Sequence, residues 1–502
     1  MIIDASEIIN GKKKVTLESE VVIIGSGAGG SVAAYELSKS GLKVIVIEEG
    51  KKYSGPDFQR DCWEAVKKTY RDLGMFTTIG SPPIPIPLGK TLGGTTMINS
   101  GTCFRTPPEI IQKWNTEYKL NIKYNELIKH FESIEKMIYV QEVPEELMGS
   151  NNILFKKGAK KIGLNGFPLK RNAKNCKGAG LCVFGCPNNA KQSVNLNYLP
   201  ESSKNGAIII TSLKAEKIIV KNNICQGIEC KAIDEEKNNF HKITIYAKII
   251  IIACGAIYTP YLLLKNKLCN SSGQVGKNLR IHPAAKILAL FKDKINSWSG
   301  VPQAYCVDSY SKEGIIFEGF FLPPSFLSIA LPTFGYKLKE LMKYYSNLAG
   351  FGVMVSDTST GRIYSIGNKP IIYYKLNEED KLKFIKGIKI AAKVYFSVGA
   401  LKVYLPIHNT KYELENEDEL DHINWNTISP SDLELIAFHP MGTCRMGNDP
   451  KKSVVNEYLE THDIKNLFIT DASIFPTSLG VNPQVSIMAF SRRTSHYIIN
   501  NF

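Results

Sequence analysis

No apolar run in these 502 residues approaches the ~20 that a membrane-crossing helix needs. The longest, Ile249 to Ala256, is strand-sized, so no transmembrane segment is expected. An apolar signal core is missing as well. Met1 to Glu20 carries acids and Lys12-Lys13-Lys14, so secretion is not expected and a cytoplasmic or membrane-peripheral place is. No internal repeat or low-complexity tract occurs, which excludes a solenoid array. Histidine is sparse, and no pair stands at metal-ligand spacing. Acids are outnumbered, 47 to 62, giving a net charge of +15, but the basic residues are spread along the chain without aromatic platforms. Nucleic acid is therefore not an expected partner, and solubility or attraction to an acidic partner accounts for the charge. Eleven cysteines, an odd number at irregular spacings, exclude a disulfide framework and leave reduced thiols as the default.

What is present begins near the start. Val21-Val22-Ile23-Ile24 runs into Gly25-Ser26-Gly27-Ala28-Gly29-Gly30, and Val44-Ile45-Val46-Ile47 ends on Glu48-Glu49. Gly25 permits a tight turn, Gly27 lets backbone approach a pyrophosphate, and Gly30 lets the next helix pack on the sheet. That helix, spanning about Ala28 to Ser40 before Gly41, aims free N–H groups and its positive dipole end at phosphates. Glu48 is spaced to accept hydrogen bonds from a ribose. A lone glycine fingerprint is weak; strand, glycines, helix, second strand and acid in order are not.

The chain exceeds the size at which one core stops growing, so two lobes are expected. After the prolines between Ser81 and Leu88 comes Lys90-Thr91-Leu92-Gly93-Gly94-Thr95-Thr96-Met97-Ile98-Asn99-Ser100-Gly101, glycine-dense enough to lie along a flat ligand. Residues 109 to 145 read as helical. Apolar runs between 206 and 257 read as strands, with Ile243 to Ala247 and Ile249 to Ala253 separate, and imply a sheet covered on both faces. Ala253-Cys254-Gly255-Ala256-Ile257-Tyr258-Thr259-Pro260 is a second glycine turn into a helix. Residues 295 to 430 lack such fingerprints and read as the substrate lobe, where Phe317, Phe320, Phe321 and Tyr336 hint at an apolar pocket. Near the end stand His439-Pro440-Met441-Gly442-Thr443-Cys444-Arg445-Met446-Gly447, Leu467-Phe468-Ile469-Thr470-Asp471-Ala472 and Gly480-Val481-Asn482-Pro483. Asn482-Pro483 reads as an N-cap with Pro at N1.

These segments, taken together and in this order, resemble the glucose–methanol–choline (GMC) family of FAD-dependent oxidoreductases. The run from Lys90 matches the family's first signature, the run from Cys254 its second, and the segments at His439 and Asn482 its C-terminal active-site motifs. The resemblance implies an α/β fold, with a Rossmann-like FAD-binding domain built from residues 15–110, 195–290 and 435–502. An α+β substrate-binding domain from 111–194 and 291–434 would join it. Gly25, Gly27, Ala28, Gly29, Gly30, Glu48 and Glu49 would hold the ADP half of FAD. Gly93, Gly94, Thr95, Asn99 and Gly101, with Ala253, Gly255, Asp471, Ala472, Asn482 and Pro483, would hold the rest. Some relatives attach FAD through a histidine in the first signature; this chain has Met97 and Ile98 there, so FAD is expected to be non-covalent.

His439 and Asn482 would form the catalytic pair. Oxidising an alcohol removes its O–H proton and passes hydride from its carbon to flavin N5. An imidazole of ordinary pKa is a suitable proton acceptor, and an amide can bind the oxygen as it gains charge. His282, also before a proline, reads as structural.

Cys176, Cys182 and Cys186, the last before Pro187, fall within eleven residues, 176–187 forming a cysteine-rich segment. Short spacings ending in Cys-Pro are those of iron–sulfur ligation. This spacing resembles the segment that binds a 3Fe–4S cluster in sugar dehydrogenases of the family. Long-chain alcohol oxidases carry similar cysteines, so a cluster and buried structural thiols both stand. A cluster would carry electrons to an acceptor protein or quinone and favour a dehydrogenase. An oxygen-reducing oxidase and a non-redox lyase of the same fold are the alternatives.

Overall fold

The structure is a computed structural model that describes residues 1–9, 14–58, 61–234, 239–331 and 333–502. Lys12 and Lys13 of the basic triplet lie outside them.

The first sheet joins segments from the whole length of the chain. Its order is Ile2–Asp4, Ile208–Thr211, Val44–Ile47, Lys14–Ile24, Asn239–Ile252, Ile224–Asp234 and Leu213–Lys221. The first five strands run parallel, and the last two join antiparallel. The two apolar runs at 243–247 and 249–253 are one strand, because Lys248 continues the ladder instead of turning it. That strand changes neighbour along its length: residues 239–246 pair with Ile224–Asp234, whereas 250–252 pair parallel with Leu467–Ile469. Val21–Ile24 and Ile249–Ile252 are buried on both faces, as continuous apolar strands require.

Helix Ala28–Lys39 starts where the fingerprint places it and ends at Ser40, before Gly41 at φ +95°. It packs against the helices Gln484–Asn501 and Tyr198–Lys204. The helical stretch expected over 109–145 is two helices, Pro108–Glu117 and Tyr124–Met137, followed by strand Val140–Glu142. The break falls at Lys119, whose φ is +56°.

The second sheet is antiparallel: Glu413–Leu414, Lys402–Tyr404, Pro283–Leu290, Leu348–Val355, Ile315–Gly319, Tyr305–Val307 and Gly166–Pro168, with Leu435–Ala437 pairing on Pro283–Ala285. Alternation decides its faces. Phe317, Phe351, Val353 and Ile287 enter a core behind helices Gly149–Lys161 and Glu378–Ser397, where the rings of Phe155 and Phe351 stack at 3.6 Å. The helix Glu378–Ser397 is capped by Asn377, whose side chain accepts from Asp380 N, and three acids fill its first turn. Glu318, Gly352, Met354, Ala284 and Lys286 fall on the opposite face, toward the space between the sheets.

Candidate active site

One cavity of about 870 Å³ lies between the two sheets, a size suited to a large cofactor together with a substrate. On the parallel side its wall is the fingerprint turn. Gly25 has φ +102°, and a Cβ there would stand 2.4 Å from Ala253 O. A Cβ on Gly29 would meet Thr470 O at 1.6 Å, and one on Gly30 would meet Gly25 O at 2.0 Å. Gly27 has open space instead and faces the cavity. Helix Ala28–Lys39 has no side-chain cap, and neither has Gln484–Asn501, whose first turn also lines the cavity. Two uncapped helix N-termini on one cavity fit a negatively charged, elongated ligand such as FAD.

Of the residues that the family resemblance assigns to the cofactor, Gly30 and Gly93 stand off the wall, while the others line it. Gly30 packs helix on sheet, and Gly93 N donates to Ser26 Oγ at 2.9 Å. The acids on this side are largely occupied by the chain itself. Glu48 accepts from Ser26 N, Ser26 Oγ at 2.6 Å and Gly50 N at 2.8 Å. Glu49 takes a bidentate grip from Arg71, at 2.7 and 3.2 Å. Asp471 accepts from Ser473 N at 2.9 Å, Gly255 N at 3.0 Å and Thr259 Oγ1, tying the second glycine turn to the C-terminal segment. The Asn99 amide donates to Gln484 and accepts from Gly101 N, linking the two flanks.

His439 and Asn482 meet across this cavity. Asn482 Nδ2 lies 3.4 Å from His439 Nε2 and 3.5 Å from Glu318 Oε2, so one amide group donates toward both. The helix begins at Gln484 with Pro483 as its cap residue, and the Asn482 side chain turns into the cavity instead of capping. His282, expected to be structural, also lines the cavity. Its ring stands edge-on to that of His439, centroids 5.6 Å apart, and its Nε2 accepts from Gly480 N at 3.1 Å. Asp357 fixes this corner by accepting from Ile281 N, His282 N, Tyr374 Oη and Ser478 Oγ.

The electrostatics differ from the sequence expectation of an ordinary imidazole. Burial, with His282 adding to it, holds His439 down at about 3, so the ring is neutral at working pH. Burial likewise holds His282 at about 3. Glu318, which motif matching passes over, is pushed up to about 7 by burial, opposed by the Asn482 hydrogen bond. A single acid inside the apolar run Ile315-Ile316-Phe317-Glu318-Gly319 was the signal in the sequence. His439 Nδ1, Asn482 Oδ1 and Glu318 Oε1 are buried atoms without a hydrogen-bond partner among the described residues.

Phe320 and Phe321 line the cavity, Phe317 is core, and Tyr336 is exposed outside the wall. Toward solvent the wall is apolar: Leu73, Met75, Ile329 and Phe438 are all exposed and all line it.

The cysteine-rich loop lies beside this cavity. Cys176, Cys182 and Cys186 line a second void of about 20 Å³, and Cys182 borders both. Cys186 Sγ accepts from Ala190 N and Lys191 N, and Cys176 Sγ from Gly178 N. Burial works to raise the Cys182 thiol, but the Arg171 and Lys191 charges outweigh it and bring the thiol below its ordinary value. Among the described residues no group of three or more His, Cys, Asp or Glu side chains is placed to hold a metal ion. The cluster expectation thus finds no support in the geometry.

Known proteins align with this arrangement. Residues 66–284 and 357–491 match family models described as GMC oxidoreductase, and residues 20–58 match one described as an FAD binding domain. An uncharacterized GMC-type oxidoreductase of Mycobacterium tuberculosis is 32% identical over 476 residues, covering 94% of this chain and 74% of that protein. A long-chain-alcohol oxidase of Arabidopsis thaliana is 28% identical over 517 residues, covering 95% of this chain and 67% of that protein. Among solved structures, pyridoxine 4-oxidase from Mesorbium loti superposes with TM-score 0.74 at 16% identity, covering 96% of this chain and all of that one. A formate oxidase variant from Aspergillus oryzae gives TM-score 0.75 at 16% identity, covering 96% of this chain and 98% of that one. At such identities the structures speak for the fold alone. No helix among the described residues is long and apolar enough to cross a membrane.

Proposed function

The chain belongs to the GMC oxidoreductase family, a family of FAD-dependent flavoproteins, and on that premise we propose that it oxidises an alcohol to a carbonyl. FAD, when bound, supplies the acceptor for the hydride that leaves the alcohol carbon. The residues that would hold it are the Gly25–Gly29 turn with Glu48, the Gly94–Gly101 segment, and Asp471, Ala472 and Asn482–Gln484.

One observation carries the reading. Three polar side chains, His439, Asn482 and Glu318, converge on the cavity, each keeping one buried atom without a partner among the described residues. An unmatched buried polar atom costs about 1–3 kcal/mol, so such a set is retained for a ligand that brings the missing hydrogen bonds. A hydroxyl can both donate and accept, as these atoms require. Asn482 and the neutral His439 orient the oxygen, and the surrounding apolar wall excludes water.

The exposed apolar residues at the mouth fit an alcohol with an extended apolar tail. The name of the Arabidopsis relatives, long-chain-alcohol oxidase, is in keeping with that class. With no geometric support for a cluster, the case for a protein or quinone carrier rests on the loop's position alone, and oxygen stands beside it as acceptor.

The test is anaerobic mixing of the FAD-loaded protein with alcohols of increasing chain length. We expect bleaching of the flavin absorbance, faster with longer chains, and dye reduction compared with oxygen uptake assigns the acceptor. A flavin that no alcohol bleaches removes the proposal.

A further inference from the structure

Two buried cations stand behind the cavity wall without an acid to meet them. Lys191 and Arg171 are each 3% exposed, and no Asp or Glu among the described residues pairs with either. Lys191 Nζ donates to three carbonyls, Met97 O at 2.8 Å, Asn99 O at 2.7 Å and Cys182 O at 2.8 Å. Three acceptors use every proton of an ammonium, one more than a neutral amine carries. Burial draws Lys191 down to about 7, opposed by Cys182 and Cys186. Arg171 Nη2 donates to Ser100 O, its guanidinium also reaches Cys182, and its Nε has no partner. A guanidinium keeps its charge at any working pH.

Asn99, Ser100 and Gly101 line the cavity, whereas the two cations do not, so one layer of backbone separates them from it. The contact is close: Gly101 has φ +80°, and a Cβ there would stand 3.4 Å from Arg171 Nη2 and 3.5 Å from Lys191 Cδ. Nearby acids do not supply the missing charge. Glu135, which with Arg171 acts on the Cys103 thiol, is held by Arg105 at 2.6 and 2.7 Å. Glu318 feels burial and the Asn482 amide, and neither of these cations. Cys182 as a thiolate would offset only one of the two charges. A buried charge without a counter-ion is costly, so the pair points to a negative ligand nearby. The void beside the cysteines, about 20 Å³, has room for no more than a water. Space for a larger anion lies on the other side of the wall, in the cavity of about 870 Å³.

We propose that Lys191 and Arg171 are positioning residues of the flavin site, clamping the wall at Met97–Gly101 by its carbonyls and setting positive charge behind it that favours negative charge on the cofactor. The inference rests on the placement of FAD along Gly94–Gly101 given above, and not on which substrate is oxidised. A hydride carries one proton and two electrons, so its arrival adds one negative charge to FAD while the substrate's hydroxyl proton goes to water. Two cations one peptide layer away, screened by protein and not by water, stabilise that charge.

The probe is sulfite, which adds to oxidised flavin and leaves a negative charge on it without any turnover. It is titrated against the FAD-loaded protein at about pH 6, below the values of both Glu318 and Lys191. Wild type should bleach at sulfite concentrations at least about tenfold below those that bleach free FAD. Lys191→Met and Arg171→Gln should each weaken sulfite binding by at least about tenfold. Their flavin should also be about tenfold harder to reduce, a two-electron midpoint potential lower by about 30 mV. Lys191→Arg, which keeps the charge, should stay within about threefold of wild type. A merely structural clamp would cost flavin content or melting temperature, yet leave the sulfite affinity and potential of the remaining bound flavin unchanged, and that result overturns the assignment. Should neither charge-removing variant fold, wild type alone decides: sulfite affinity no better than that of free FAD refutes it. A wild type that binds sulfite as expected but is bleached by no alcohol removes the alcohol-oxidation reading and leaves this assignment standing. A protein that takes up no FAD overturns both.

Discussion

The two walls of the cavity treat their acids in opposite ways. On the parallel-sheet wall, Asp471 and Glu48 are met by backbone N–H groups and hydroxyls, and Glu49 by Arg71. On the antiparallel wall, Glu318 keeps an oxygen with no partner. Saturated acids hold the chain in shape; on the antiparallel wall Glu434 also keeps a free oxygen but has Lys286 as its cation, whereas Glu318 has none. Both walls are buried, so burial alone does not separate scaffold from machinery. Hydrogen-bond saturation does.

The largest effect should come from disturbing the scaffold wall. Gly29→Ala brings a Cβ to 1.6 Å from Thr470 O, so helix and C-terminal strand cannot both keep their places. We expect protein purified with almost no flavin, read from the ratio of flavin to protein absorbance. Next comes the machinery wall: His439→Ala should keep its flavin while its reduction by alcohol slows by about 10²–10³. Equal loss of flavin in both variants would break the distinction between the walls.

A pH titration of stability sharpens the comparison. Between the ordinary 4.5 and about 7, folded protein holds a proton on Glu318 that the unfolded chain has released, so its contribution falls as pH rises through that window. At about 1.4 kcal/mol per pKa unit, the decline for the FAD-free protein is about 3 kcal/mol. His282 and His439 have the opposite sign: their depressed values raise stability as pH rises from about 3 to 6.5. Denaturant melts of wild type and Glu318→Gln should therefore diverge, the variant losing the decline. A smaller effect is expected for Asp471→Ala, which leaves Gly255 N and Ser473 N without their acceptor and costs about 1–3 kcal/mol in the same melts. The smallest is Cys176→Ser, with less than about 1 kcal/mol lost and flavin reduction unchanged, because its thiol accepts one long backbone bond and serves no metal site among the described residues.

The two walls also differ in how legible they were. The turn at Gly25–Gly30, its helix, the strand Val44–Ile47 and the helix after Cys254 could be read directly, because each is a local pattern of glycine and apolar residues with one geometric solution. The pairing of Leu467–Ile469 with 250–252 was not read, since nothing local specifies a partner two hundred residues away; the family resemblance implied only that the two segments share a domain. His439, on the antiparallel wall, and Asn482, before the helix across from it, came from motifs, but Glu318 and the Gln303 amide that donates to it lie on segments without one. Their proximity is set by sheet register and by the Ser100 loop, which single-segment patterns do not encode. The Asn482 cap was misread because Asn-Pro favours capping locally, while the cavity draws the amide away.

The change of neighbour along the strand Asn239–Ile252 has a consequence for biosynthesis. Its last three residues find their parallel partner in Leu467–Ile469, and the fingerprint helix is covered by Gln484–Asn501. Neither element exists until the chain has been made past residue 467. The nucleotide-binding half therefore cannot fold as an independent unit during synthesis, although its first strand and helix emerge early. Closing that loop of more than two hundred residues has to wait for Leu467–Ile469, an entropic cost that local pairing does not carry.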